Sequence, residues 1–112
     1  MSSATLTWAD FEKVEMRVGV ITAVEDFPEA RKPAYKLTVD FGSHGVKRSS
    51  AQVTHYAKQA LSGRQVIAVT NFPPKQIGSF LSEVLVLGAI ESDGRVVLLL
   101  PDEKAELGSR IA

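Results

Sequence analysis

No group of residues in this sequence has the spacing of a bond-breaking site. Its chemistry-bearing side chains instead have the character of a binding surface. The chain contains no cysteine, which excludes disulfides, thiolate metal sites and cysteine nucleophiles. Neither His44 nor His55 has a second ligand at metal-binding spacing. No His-Glu-x-x-His, glycine-rich phosphate loop or Gly-x-Ser-x-Gly elbow occurs. Ser49, His44 and Asp40 could be drawn as a nucleophile, base and orienting acid, but any chain of this length offers such triplets. We therefore expect no catalytic residue, no metal and no cofactor.

Three sets of residues could bind. The first is cationic: Arg31, Lys32, Lys36, Lys47, Arg48 and Lys75. Brought together, they would attract a phosphate backbone or acidic side chains; kept apart, they are ordinary solvated lysines and arginines. The second is apolar: Phe27, Phe72, Ile77, Phe80 and Leu81. Such side chains could cradle an extended polypeptide or stack bases. Burial under a loop or in a subunit interface is the alternative, and it suits Ile77 and Leu81 better. The third is Ser49-Ser50-Ala51-Gln52, whose small polar side chains would let a partner backbone approach and offer it hydrogen bonds. A plain sheet edge would look the same.

A chain of 112 residues makes one domain with one core. Thirteen basic and thirteen acidic residues cancel. Phosphate neutralisation drives nucleic-acid affinity, so a neutral chain should bind nucleic acid modestly and with strong salt dependence. Residues 1–6 lack the charged-then-apolar pattern of a signal peptide, and no apolar run reaches membrane-spanning length. The expectation is a cytoplasmic protein without membrane insertion.

The elements that must position these residues are mostly strands. Thr7 followed by Asp10 reads as a capping box for a short helix over 8–13 that would bury Trp8 and Phe11. Residues 14–24 form a long strand, apolar on both faces, with Gly19 at its middle marking a bend. A charged loop spans 27–33. Tyr35, Leu37, Val39 and Phe41 alternate with polar residues in a half-buried strand over 35–41. A turn at 42–45 leads to a return strand over 46–53. Thr54 can cap a helix to Leu61, ended by Gly63. A fourth strand covers 65–70, an irregular stretch 71–83, a fifth strand 84–90, and the Asp93-Gly94 turn a sixth over 96–100. The tail is 101–112.

Three strands, a helix, a strand, a long loop and a strand follow the plan of the oligonucleotide-binding (OB) fold. We expect an all-β, five-stranded OB-fold barrel over 1–112, with a short N-terminal helix, a helix between strands 3 and 4, and a C-terminal strand extension. In that fold, ligands meet strands two and three and the loops joining strands one to two and four to five. Those loops are here 27–33 and 71–83, which hold Arg31, Lys32 and Lys75 and the whole apolar set, while Lys36, Lys47 and Arg48 come from the strand pair between them. Trp8, Phe11, Val96 and Leu98 can cover a neighbouring subunit across a twofold axis, since one small barrel cannot easily bury both faces of the last strand.

Asp10-Phe11-Glu12-Lys13-Val14-Glu15-Met16-Arg17-Val18-Gly19 resembles the opening of the tRNA-binding domain family. That barrel is appended to methionyl-, tyrosyl- and phenylalanyl-tRNA synthetases and also occurs free-standing. Phe27-Pro28-Glu29-Ala30-Arg31-Lys32 stands where the family has His-Pro-x-Ala-Asp-Lys, and keeps part of that pattern. Asn71-Phe72-Pro73-Pro74-Lys75-Gln76-Ile77-Gly78 stands on Asn-Leu-x-Pro-x-x-Ile-x-Gly, and Ser82-Glu83 on Ser-x-Gly-Met. The run Asn71-Phe72-Pro73-Pro74 with Ser82-Glu83-Val84-Leu85-Val86-Leu87-Gly88 resembles one branch more closely, the bacterial CsaA secretion chaperones.

The resemblance implies a cytosolic homodimer, joined through its terminal segments, that binds unfolded or pre-secretory polypeptides in support of export. Phe27, Phe72, Phe80, Ser49, Ser50 and Gln52 are then the expected peptide-binding residues. The alternative is a free-standing tRNA-binding module associated with aminoacyl-tRNA synthetases. Arg31, Lys32, Lys36, Lys47, Arg48, Lys75, Ser82 and Glu83 would then contact tRNA.

Overall fold

The computed structural model describes residues 4–112. Met1–Ser3, part of the stretch read above as lacking a leader pattern, lie outside the described residues. Helix α1 spans Trp8–Glu12, and the Thr7 hydroxyl caps it by accepting from the Asp10 N–H at 3.1 Å. Strand β1 (Met16–Asp26) is the long strand expected from its two apolar faces. It pairs with β4 (Gln65–Val69) along its first half and with β2 (Tyr35–Asp40) along its second, and the register slips between Ile21 and Ala23. That bulge lets one strand serve two parts of the barrel. Gly19 sits just before it for a steric reason. A Cβ there would lie 2.5 Å from Val39 Cγ1 and 2.8 Å from the Phe41 ring.

After β2, a 3-10 turn (Gly42–His44) leads into β3 (Val46–Ala51). Helix α2 (Lys58–Leu61) follows, then β4. The five-stranded antiparallel sheet has the order β3-β2-β1-β4-β7, where β7 is Leu85–Val86, and it curls into a nearly closed barrel. Ile21, Leu37, Val39, Phe41, Val53, Leu61, Val66, Ala68, Val84 and Leu98 fill it. Two hairpins stand outside the sheet: β5 (Lys75–Ile77) with β6 (Phe80–Ser82), and β8 (Gly88–Ile90) with β9 (Val96–Leu98).

The all-β barrel with a helix between its third and fourth strands agrees with the sequence reading, but several details differ. The 71–83 stretch is not irregular: β5 and β6 form a hairpin around Gly78, whose φ of +59° is open to glycine. The strand expected over 84–90 breaks into β7 and β8. Thr54 does not cap α2, which starts later, beyond Ala57, without a side-chain cap. Trp8 is not buried. It is 81% exposed and touches Phe11 edge-on, at 6.3 Å between ring centroids.

Candidate functional site

No ladder joins β3 to β7. The barrel is closed there by short contacts from residues 82–84. The Glu83 N–H donates to the Arg48 carbonyl at 2.8 Å, and Glu83 Oε1 accepts the Arg48 N–H at 3.1 Å. The Ser82 hydroxyl oxygen accepts the Ser50 N–H at 3.1 Å. Ser49, fully buried, donates its hydroxyl to the Val84 carbonyl at 2.9 Å. Ser49, Ser82 and Glu83 are therefore occupied as a latch. The expectation that Ser49 meets a ligand is corrected, because its hydroxyl is spent on an otherwise unsatisfied carbonyl inside the barrel.

A second small core lies on the outer face of β2 and β3. Phe27 (5% exposed) and Phe80 (4%) meet at 5.3 Å between centroids, with Ala30, Ala34 and Ile77 around them. Lys36 Nζ sits 5.0 Å from the Phe27 ring centre and 5.6 Å from that of Phe80, and the Arg48 guanidinium 4.8 Å from Phe80. Each is within cation–π range. Arg48 also reaches Glu25 Oε2 at 2.6 Å. The loop and the β5–β6 hairpin are thus clasped to each other. The expectation that Phe27 and Phe80 line an open pocket is corrected, since apolar rings on adjoining loops gain more by covering one another than by facing water.

Phe72 behaves oppositely. It is 53% exposed and, with Pro73, Lys75, Ser82, Glu83, Val84 and Leu85, lines a recess of about 230 Å³. Exposed Leu85 is shared with a neighbouring, largely apolar recess of about 320 Å³ along the open seam. Ser50, Gln52, Ile90 and Val96 lie on the walls of that second recess. The two recesses therefore share one wall and run from the 71–74 segment to the β8–β9 hairpin. Phe72 lines the first recess and Ser50 and Gln52 the second; Phe27, Phe80 and Ser49 line neither. Leu85 and Ile90 were missed. Alternation after Val84 could have shown Leu85 pointing outward, but a run apolar on both faces hides which side is core.

The cations divide in the same way. Arg48 pairs with Glu25, and Lys47 Nζ lies 4.0 Å from Glu83 Oε2. Arg31, Lys32 and Lys75 are exposed, and none of them, nor Lys36, takes part in an ion pair among the described residues. Two of the six residues are thus paired internally with other described residues, and four are not. Among the described residues, no three histidine or acidic side chains gather where they could hold a metal ion.

The loop's first residue is anchored to the start of β1. Asn71 Oδ1 accepts the Glu15 N–H at 3.0 Å, and Asn71 Nδ2 donates to the Lys13 carbonyl at 2.6 Å. Arg17 donates to Glu15 Oε1 at 2.8 Å and to the Gly108 carbonyl at 2.7 Å. The Arg17 hydrogen bond holds the Glu15 carboxyl below the ordinary glutamate range against the opposing effect of burial. The Arg17 charge, the Thr70 hydroxyl and the Arg110 charge act in the same direction as that bond. At the termini, Trp8, Phe11, Ile111 and Ala112 line a recess together with Glu12 and Arg110. Leu98 is corrected as an interface residue: it is 4% exposed in its own barrel core, and Val96 packs against that core.

Residues 16–110 match the protein family described as "Putative tRNA binding domain". The crystal structure of a CsaA chaperone protein from Picrophilus torridus is 57% identical, covering 96% of this chain and all of its own, with a TM-score of 0.91. Chaperone CsaA from Bacillus anthracis is 46% identical over 97% of this chain and 100% of its own, with a TM-score of 0.92. A methionine–tRNA ligase from Nanoarchaeum equitans is 36% identical over 107 residues, which are 95% of this chain and 13% of the ligase. The chain therefore belongs to the tRNA-binding-domain family, in its CsaA-type branch.

Proposed function

We propose that this protein binds extended, unfolded polypeptide in the two recesses that meet at Leu85, without bond-breaking chemistry, and so keeps chains destined for export unfolded in the cytoplasm. The observation that carries this reading is the three exposed apolar side chains Phe72, Leu85 and Ile90, lining two recesses that share Leu85, beside a strand edge that no ladder covers. Those side chains supply contact area, and the Ser50 and Gln52 side of β3 offers polar groups to a passing main chain. The Pro73-Pro74 wall is rigid before binding, which lowers the entropic cost of holding a ligand. The names of the two CsaA structures support the same reading. The functional unit is a homodimer, with the exposed Trp8 and its neighbours Phe11 and Ile111 covering a second copy.

The second reading is tRNA binding. It draws support from the family and from the unpaired Arg31, Lys32 and Lys75 on the two loops. The deciding experiment titrates the protein against bulk tRNA and a labelled unfolded polypeptide, at low and physiological salt. Polypeptide binding that survives salt, lost on Leu85→Asp, supports the proposal. Steeply salt-dependent tRNA binding with no polypeptide affinity overturns it in favour of the second reading.

A further inference from the structure

We infer that Glu25 and Glu83 set the class of partner: Glu25 occupies Arg48 on the outer face of β2 and β3, Glu83 occupies Lys47 on the opposite side of β3, and both cations are thereby withheld from polyanions. The inference deepens the polypeptide-binding reading and rests on it for the identity of the partner that is admitted.

The geometry is specific. Thr38 pairs with Arg48 and Lys36 with Ser50 across β2 and β3, so Lys36 and Arg48 are diagonal neighbours on the outer face. Glu25 pairs with Lys36 in the β1–β2 register, on the same face. Its carboxylate turns to Arg48 at 2.6 Å, where a phosphate oxygen would otherwise bind. Phe80 packs against the Arg48 guanidinium, fixing its plane beside Glu25. Glu83 divides its two oxygens: one accepts the Arg48 N–H and the other faces Lys47 Nζ at 4.0 Å. A polyanion approaching the outer face meets the Glu25 carboxylate beside Arg48 and Lys36, and one approaching Lys47, which pairs with core-facing Val39 on the opposite side of β3, meets Glu83. To engage Arg48 or Lys47, it must first displace an internal pair. An unfolded polypeptide in the Leu85 recesses needs neither cation, and Glu25, which lines neither recess, leaves it unaffected. The discrimination lies in repulsion of the wrong partner rather than added attraction for the right one.

The test compares tRNA affinity of Glu25→Gln, Glu83→Gln and the double variant with wild type, across a salt series. Glutamine at 83 keeps an oxygen for the Arg48 N–H, and the Glu25 side chain is 57% exposed, so both variants retain the barrel. Each freed cation should raise tRNA affinity about eightfold near 0.1 M salt and steepen the log–log salt slope by about 0.9. Two controls isolate the pairs. Glu103→Gln makes the same charge change on the exposed tail and should give no such gain. Glu25→Gln combined with Arg48→Met should return affinity to the wild-type value. A gain matched by Glu103→Gln, a gain that survives Arg48→Met, or tight tRNA binding by the wild type at physiological salt overturns the inference. Polypeptide affinity, measured in parallel, should not change in Glu25→Gln. Absence of polypeptide binding in the wild type defeats the proposed function alone, and the tRNA arm still decides whether the carboxylates exclude polyanions.

Discussion

Phe72 and Phe80 lie close in sequence and in one sequence-defined loop, yet the fold gives them opposite roles, and replacing each by alanine separates those roles. Phe72 leaves 53% of its surface open. A phenylalanine side chain presents about 200 Å², so about 100 Å² remains for a ligand to cover. A polypeptide lying against one side removes about half of that from water, worth about 1.3 kcal/mol at about 25 cal/mol per Å². Phe72→Ala should therefore weaken polypeptide binding about tenfold, while the melting temperature stays nearly unchanged. Phe80 is 4% exposed and contacts Phe27, Lys36 and Arg48. Truncating a buried phenylalanine costs about 3–5 kcal/mol, which lowers the melting temperature by more than about 10 °C in a domain of this length. Fluorescence anisotropy with a labelled unfolded polypeptide, held well below the melting temperature, reads affinity; calorimetry reads stability. The reasoning is refuted if Phe72→Ala melts early and binds normally, or if Phe80→Ala loses affinity with its melting temperature intact.

Gly19→Ala places a Cβ 2.5 Å from Val39 Cγ1 and should destabilise the barrel by about 1–3 kcal/mol, seen as a lower denaturant midpoint; an unchanged midpoint means β1 and β2 do not pack so closely. Ser49→Ala leaves the Val84 carbonyl unpaired inside the barrel and should cost about 1–3 kcal/mol in the same assay. Glu15 titrates below its usual range when folded, so its stabilising contribution is present above the ordinary value of 4.5 and is lost as pH falls through the depressed folded value. Glu15→Gln should therefore melt earlier than wild type near pH 7, with the difference closing as pH falls below the ordinary glutamate value; a pH-independent difference removes the ionised Glu15–Arg17 pair as its cause. Trp8→Glu should convert a dimer to monomers in sedimentation velocity without changing the fold by circular dichroism, and a wild-type chain that already sediments as a monomer defeats the homodimer reading.

The barrel was legible because its local patterns agree. Thr7 before Asp10, the 35–41 alternation and Gly19 in an apolar strand each point to the element observed. The site was less legible because sequence gives residue type and loop membership, not which side chains cover one another. Phe27 and Phe80 look as available as Phe72 until the loop and hairpin are seen to meet over β2. Ser49 looks like a ligand-facing serine until the missing β3–β7 ladder leaves a carbonyl for it to satisfy. Arg48 and Lys47 count as free charges until Glu25, far off in sequence, is seen to pair with Arg48 through the β1–β2–β3 register.

The seam explains why this barrel holds an open groove at all. Strand β7 is only two residues long and pairs with β4 on one side. It is too short to ladder with β3 on the other, so the edge must be satisfied by other means. The Ser49 hydroxyl, the Ser82 hydroxyl and the Glu83 carboxylate do this near residues 48–50 together with one main-chain bond from Glu83 to Arg48, using side chains where a longer strand would use main chain alone. Beyond Ser50 that substitution ends, and the recess lined by Gln52, Leu85 and Ile90 begins. The groove is therefore what remains when a barrel is closed by three side chains and one main-chain hydrogen bond rather than by a ladder, and the residue that completes the closure, Glu83, is also the one that faces Lys47.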